Sequence, residues 1–308
     1  MNRCPITYEL CEVNQKYSQK GLKLLARTLR DLKDLPYTPK EQIQLAAQFA
    51  AKLSIQGVQP KLSVKLNVKD EEFVIVEKGG MFILKPPHQT YDEVPQNEDL
   101  SMRLAKIVGI DVPFHGMIYN IDGSLSYIVK RFDRIKNQKI AVEDFSQLLQ
   151  YTRDTKYESS MEKVVGVIEK HCTFPMVEKL KLFRLVIFNF LIGNEDMHLK
   201  NFMLIRRKDK VELSPAYDLL NTTIVIQSKE EIALPIRGKK SKLTRSDLVD
   251  YFGIERLGLS EAILDDELLR FKESLNQWEG LLVKSFLSEK MRKRYEELIK
   301  ARWQRLKD

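Results

Sequence analysis

Two hydrophobic periods divide this chain. Between residues 61 and 85 the runs KLSVKLNV, FVIVE and MFILK alternate apolar with polar residues and are separated by KDEE and KGG, the pattern of antiparallel strands with one buried face. Two more short strands are expected at 116–121 and 125–130. After Asp133 apolar residues recur at the spacing of a helix face over 143–152, 157–170, 176–192, 244–252, 260–286 and 288–306. One strand pair interrupts this part, FMLIRR and KVELSP joined through KDK. Such a chain must build a sheet-containing part and a mainly helical part, an α+β protein, and no Gly/Ser-rich linker or internal repeat separates them. The expectation is two lobes sharing a cleft, residues 1–130 and 131–308.

The sheet-rich part has helices of its own. Periodicity predicts one over 20–34, ended by Leu35-Pro36, and a second over 39–52. Asn97 is a candidate cap for a third that runs to 108, with Leu100, Leu104 and Ile107 on one face and Gly109 at its end.

Several function classes are excluded by what the chain lacks. The 308 residues hold three cysteines, Cys4, Cys11 and Cys172, too few for a disulfide framework, and six residues separate the first two with no further Cys or His near enough to complete a zinc site. Arg184 interrupts the longest apolar run before it reaches the roughly 18 residues of a membrane span, and no leader-like segment opens the sequence, so a soluble cytoplasmic protein is expected. The net charge of +8 suits an anionic partner such as a nucleotide, a nucleic acid or an acidic protein surface. Its basic residues, at 206–210, 237–242 and 291–306, have few aromatics among them, which favours a solvated surface over a nucleic-acid groove.

The densest polar cluster follows the most apolar run: LFRLVIFNFLI leads into GNEDMHLKNFML. Here Asp196 and Asn201 stand five residues apart between a helix and a strand, and Asp218 lies beyond the hairpin in AYDLL. Phosphoryl transfer needs a carboxylate to orient or deprotonate the attacking hydroxyl, and oxygen ligands to hold Mg²⁺ against nucleotide phosphates. Protein kinases place D-x-x-x-x-N before a hairpin and a metal-binding Asp after it; this chain repeats that spacing without HRD or DFG, and with His198 after the Asp rather than before it. A kinase-like site also requires a strand Lys, a helix Glu paired with it and a phosphate-covering loop. Lys85 at the end of MFILK, Glu98 in the following helix and SIQGVQPKLSV at 54–64, where Gly57 permits a tight turn, are the candidates.

The segments SIQGVQPKLSV, FILKPP, NEDLSMRLAKIVGIDVP, YIVKRFDR, VEDFSQLL, IGNEDMHLKNF and LSPAYDLL, in this order over residues 50 to 240, resemble the HipA family of bacterial serine/threonine kinases, toxins of toxin–antitoxin systems. The resemblance implies a bilobal protein-kinase-like fold, ATP and Mg²⁺ as cofactors, Asp196 as catalytic base, and Asn201 and Asp218 as metal ligands. It assigns phosphate contacts to Gln56, Gly57, Val58, Gln59, Pro60, Lys61 and Lys85, the adenine-holding hinge to Lys130, Arg131 and Phe132, and nucleotide contacts to His198, Lys200 and Tyr217. Ser54 occupies the position of a loop serine whose autophosphorylation inactivates the enzyme. A phosphate of about −1.5 to −2 charge there cannot share space with ATP phosphates, so the loop would be ejected.

Full-length HipA carries about a hundred residues more before the kinase core, the size of a small domain. Ser54 comes too early for that, and with SIQ in the loop the chain resembles the shorter HipT branch, in which a separate HipS protein replaces the missing part. The partners implied are a HipB-like helix-turn-helix antitoxin, a HipS-like protein and a target protein such as an aminoacyl-tRNA synthetase, with DNA contacted only through the antitoxin.

Plainer roles stand beside these. His198 could be a capping histidine, Glu98 a first-turn residue that complements the helix dipole, Lys85 a solvated strand end and Ser54 an ordinary loop hydroxyl. Two alternative functions also fit the pattern: an inactive pseudokinase that stabilises an antitoxin–DNA complex, or a small-molecule kinase.

Overall fold

The computed structural model describes residues 2–53, 60–135, 138–152, 154–226 and 229–307. Of the residues singled out above, Ser54, Gln56, Gly57, Val58 and Gln59 lie outside them. The chain divides into two compact units, one made of Met1–Leu100, Pro113–Asn137 and Lys284–Leu287, the other of Ser101–Val112, Gln138–Val283 and Ser288–Asp308.

In the first unit α1 (Gln19–Leu25) starts at Ser18, whose side chain accepts from the Gly21 N–H. Seven residues replace the longer helix expected over 20–34. The backbone beyond Leu25 bonds elsewhere: Lys33 N–H donates to Glu71 O, the N–H groups of Arg30 and Asp31 to the Glu71 carboxylate, and Leu35 N–H to Tyr119 O. Leu29, Leu32 and Leu35 are buried as their spacing demands, but from a chain bonded along the sheet margin. Tertiary partners outcompete helix propensity here.

Helix α2 (Pro39–Leu53) carries Pro at its first position, where the missing N–H costs nothing, and a reciprocal cap in which Thr38 N–H donates to Glu41 Oε2 and Glu41 N–H to Thr38 Oγ1. The strands β1 (Leu62–Asn67), β2 (Glu72–Ile75) and β3 (Phe82–Lys85) precede α3 (Val94–Ile107), and β4 (His115–Tyr119) and β5 (Leu125–Lys130) follow it. They form one antiparallel sheet in the order β2-β1-β3-β5-β4. The register sets Leu84 against Ile128 and Lys85 against Tyr127. The inward residues Val64, Phe73, Phe82, Leu84 and Ile128 pack with Leu22, Leu29 and Leu35. Helix α3 begins a turn before the expected cap: Asn97 is buried inside it and its N–H donates to Glu93 O. Pro95, which lacks only an N–H that the first turn leaves unused, lets the helix start at Val94.

In the second unit β6 (Val142–Asp144) leads into α4 (Phe145–Leu148). Asp144 and Gln147 form a capping box, but the helix expected over 143–152 is only these four residues long, because Phe145 N–H donates to Phe202 O and β6 pairs with the later hairpin. Helices α5 (Met161–His171) and α6 (Pro175–Ile192) follow. From Leu185 to Ile192 every residue of α6 is buried, as expected of core rather than of a surface stripe. The hairpin of β7 (Met203–Arg207) and β8 (Lys210–Leu213) completes a sheet in the order β8-β7-β6. The short α7 (Thr223–Ile226), a π-helix over Ser246–Arg256, α8 (Glu261–Lys284) and α9 (Glu289–Lys307) complete the unit's main elements. Trp278 packs edge-on against Phe188 and Phe271. Among the described residues no helix is long and apolar enough to cross a membrane.

Candidate active site

In the first unit, Lys85 ends β3 and Glu98 lies on α3, with Nζ 2.6 Å from Oε1. The residues are 5% and 3% exposed, and the ammonium also lies 5.6 Å from the centre of the Tyr127 ring. Because α3 starts at Val94, Glu98 is past the first turn, so the helix dipole does not account for it. Nor is Lys85 a solvated strand end. Apolar residues of similar volume often replace such a buried pair without loss of stability, so stability alone does not account for it. In the same unit Lys130 is exposed at the end of β5, Phe132 is half-buried, and Arg131 forms a two-pronged pair with Asp133 at 2.9 and 2.6 Å. Burial works to raise the Asp133 carboxyl, yet the Arg131 guanidinium brings it below the usual carboxylate range. Pro60 is half-buried and Lys61 exposed.

The second unit carries the polar loop. Helix α6 stops at Gly193, whose φ of 76° is left-handed backbone that glycine adopts without strain. The Gly193 carbonyl accepts from the segment after Asp218: from the N–H of Thr222 at 2.9 Å, the Thr222 hydroxyl at 3.0 Å, the N–H of Thr223 at 3.1 Å and the Thr223 hydroxyl at 3.2 Å. Glu195 N–H donates to Thr222 Oγ1, and Asp196 N–H to Asn194 Oδ1, so side chains fold the loop back on itself.

Asp196 is exposed, and its carbonyl accepts from His198 N–H at 2.8 Å and from Asn201 Nδ2 at 2.9 Å. Leu199–Asn201 forms one 3₁₀ turn. Lys200 is half-buried, and its carbonyl accepts from the Tyr217 hydroxyl at 2.7 Å, which joins the loop to the segment of Asp218. Burial, then the nearby carboxylates of Asp218 and Asp144, push the Tyr217 hydroxyl well up, so it stays a donor. Asp218 is half-buried with φ 55°, a left-handed conformation that few L-residues adopt.

His198 is buried, and Lys156 Nζ lies 2.7 Å from its Nε2. Burial depresses its basicity, Asp196 works against this, and Lys156 reinforces it. The ring is therefore neutral, with Nε2 accepting from the ammonium and the proton on Nδ1. That Nδ1 is buried with no hydrogen-bond partner among the described residues.

Among the described residues no group of three His, Cys, Asp or Glu side chains could hold a metal ion. A cation here would take the Asn201 amide oxygen and the Asp218 carboxylate, with phosphate oxygens filling further positions. The site fits such an ion: Asn201 Nδ2 is tied to the Asp196 carbonyl, which fixes the amide and leaves its oxygen without a donor among the described residues. Hard cations of this kind take oxygen ligands.

Four contributors escaped the sequence reading. Lys156, Tyr157, Thr222 and Thr223 all bond to the loop, Tyr157 through its hydroxyl to Asp196 Oδ1. The adjacent threonines in LLNTT were the one available signal, being side chains suited to anchoring a turn. No spacing rule points to Tyr157, 39 residues upstream of Asp196.

The sheet-containing unit and the helical unit together define a protein-kinase-like α+β fold. Over 90% of its length the chain superposes on 72% of a chain from the Shewanella oneidensis toxin–antitoxin complex of HipA, HipB and operator DNA, with a TM-score of 0.69 and 23% identity. The Helicobacter pylori proinflammatory kinase CtkA matches with a TM-score of 0.53 and 15% identity, over 73% of this chain and 86% of that one. A Haemophilus influenzae protein named "Putative kinase" is 30% identical over 90% of both chains. The serine/threonine-protein kinase toxin HipA of Shewanella oneidensis is 27% identical over 60% of this chain and 47% of its own length. Residues 53–301 match the HipA-like C-terminal domain, and the chain belongs to the HipA family.

Proposed function

We propose that the protein is an ATP- and Mg²⁺-dependent serine/threonine kinase and that, as the toxin of a toxin–antitoxin system, it phosphorylates a protein to arrest growth. The loop that fixes Asn201 on the Asp196 carbonyl, followed by the hairpin and Asp218, is the observation that carries this reading. Asp196 takes the proton of the attacking hydroxyl as that oxygen bonds to the γ-phosphorus and the β–γ bridge breaks, releasing ADP. Lys85, held by Glu98, orients phosphate oxygens of the donor. The His198 Nδ1–H, which has no acceptor among the described residues, suits a phosphate oxygen, and Lys200, two residues on, adds positive charge to the loop. Mg²⁺, held by Asn201 and Asp218, would neutralise charge on the phosphates.

Residues 56–61 cover the phosphates, Lys130–Phe132 and Tyr217 complete the nucleotide contacts, and Ser54 is the site of inactivating self-modification. A HipB-like antitoxin fits the Shewanella complex of HipA, HipB and operator DNA, and the SIQ of the loop fits the HipT branch with a HipS-like partner. A serine of an aminoacyl-tRNA synthetase is the target that the family suggests. Incubation with γ-labelled ATP and Mg²⁺ tests the reading: label should appear on the chain and on protein acceptors. Nucleotide binding with no label on any protein would replace it with a pseudokinase.

A further inference from the structure

The segment ahead of α5 reaches onto the loop with two neighbouring side chains. Tyr157 donates its hydroxyl hydrogen to Oδ1 of Asp196. Lys156 meets His198, and its carbonyl accepts from Leu199 N–H at 3.4 Å. The Tyr157 ring stands edge-on to the His198 ring with centroids 5.0 Å apart, and the Lys156 ammonium lies 4.8 Å from the Tyr157 centroid. The ring is thus held by contacts that do not need the hydroxyl. Tyr157 is 38% exposed, so its hydroxyl does not depend on Asp196 to escape burial without a partner. It stays protonated, raised first by burial and then by the Asp196 carboxylate that it faces.

We propose that Tyr157 is a stand-in for the acceptor: its hydroxyl takes the hydrogen bond on Asp196 that a substrate serine must make, and only an acceptor with binding energy of its own displaces it. The proposal rests on Asp196 being the base. An attacking hydroxyl has to come within hydrogen-bond reach of that carboxylate, and a phenol already on Oδ1 competes for the same lone pairs. Water has little else with which to bind, so the tyrosine restrains ATP hydrolysis and selects for protein acceptors. In productive turnover the acceptor's O–H proton passes to Asp196 as its oxygen bonds to the γ-phosphorus and the bond to the ADP oxygen breaks; Tyr157 keeps its own proton throughout.

Tyr157→Phe isolates the effect, because phenylalanine retains the ring contacts to His198 and Lys156. With the full chain, Mg²⁺, ATP and dephosphorylated casein as acceptor, the variant should show a casein KM about threefold to tenfold lower, the worth of one competing hydrogen bond. ADP release without acceptor should rise by a similar factor, the ATP KM should hold, and the unfolding transition should coincide with wild type. A fall in kcat at constant acceptor KM would mean that Tyr157 positions the base and would overturn the proposal. So would turnover unchanged in both assays. Neither transfer nor hydrolysis by either protein, with ATP binding intact, would refute the kinase reading itself and the competition with it.

Discussion

Replacing Lys85 with Met separates what the buried ion pair does for folding from what it does for chemistry. At 2.6 Å and with both partners almost fully buried, removal of the ammonium takes a close counter-charge away from the Glu98 carboxylate. Breaking such a pair from one side costs about 3–5 kcal/mol. A Lys85→Met, Glu98→Leu double variant removes the carboxylate as well and replaces both side chains with apolar ones of similar length. It should recover most of that loss, giving a coupling energy of about 2–4 kcal/mol in a double-mutant cycle. Urea denaturation of the four proteins reads the cycle directly. Phosphoryl transfer should not recover: the double variant still lacks the cation that orients phosphate, a charge-assisted bond worth about 1.5–3 kcal/mol, so kcat/KM should stay down about 10- to 150-fold. Stabilities that simply add would show the two side chains to be independent, and a double variant with wild-type turnover would remove Lys85 from the mechanism.

Three further outcomes follow from the loop and its surroundings. Asp196→Asn should lower turnover by on the order of 10²–10⁴ with ATP affinity near wild type, and equal activity would remove Asp196 as the base. Gly193→Ala places a Cβ 2.6 Å from both Leu298 Cδ2 and Thr223 Oγ1 at a φ of 76°. Left-handed backbone and overpacking together should cost about 2–5 kcal/mol in denaturation, and a loss below about 0.5 kcal/mol would mean that the helix end readjusts freely. Ser54→Ala should abolish self-inactivation as followed by mass spectrometry; phosphate appearing at Ser63 to the same degree would move the regulatory site.

Local pattern carried much of the fold. Alternation over 62–85 and in the 203–213 hairpin is read from a few residues because each strand has one buried face, and the Leu185–Ile192 half of α6 is almost wholly apolar because it is buried on all sides. Where the pattern misled, a distant partner had taken the backbone. The leucines of 27–35 keep a helix-like spacing, but Glu71 accepts the N–H groups of Arg30, Asp31 and Lys33 between them, and Tyr119 that of Leu35. Asn97 looked like a cap until Pro95 proved to sit inside the first turn. Of the candidate residues, the Lys85–Glu98 pair and the contact of Asn201 with Asp196 were legible, because each follows from spacing along the chain. Tyr157 and Lys156 were not, since what brings them to Asp196 and His198 is the path of the chain before α5, which leaves no periodic trace.

The Gly193 carbonyl has a consequence for anyone who would transplant this loop. Because donors from Thr222 and Thr223 converge on the oxygen where α6 ends, the stretch bearing Asp196 and the stretch bearing Asp218 are stapled at their roots. Moved alone, residues 193–201 would arrive with that oxygen short of its donors and with Glu195 N–H lacking the threonine hydroxyl that receives it. The smallest portable cassette runs from the last turn of α6 through Thr223, hairpin included, and a homologue that varies one end should be found to vary the other.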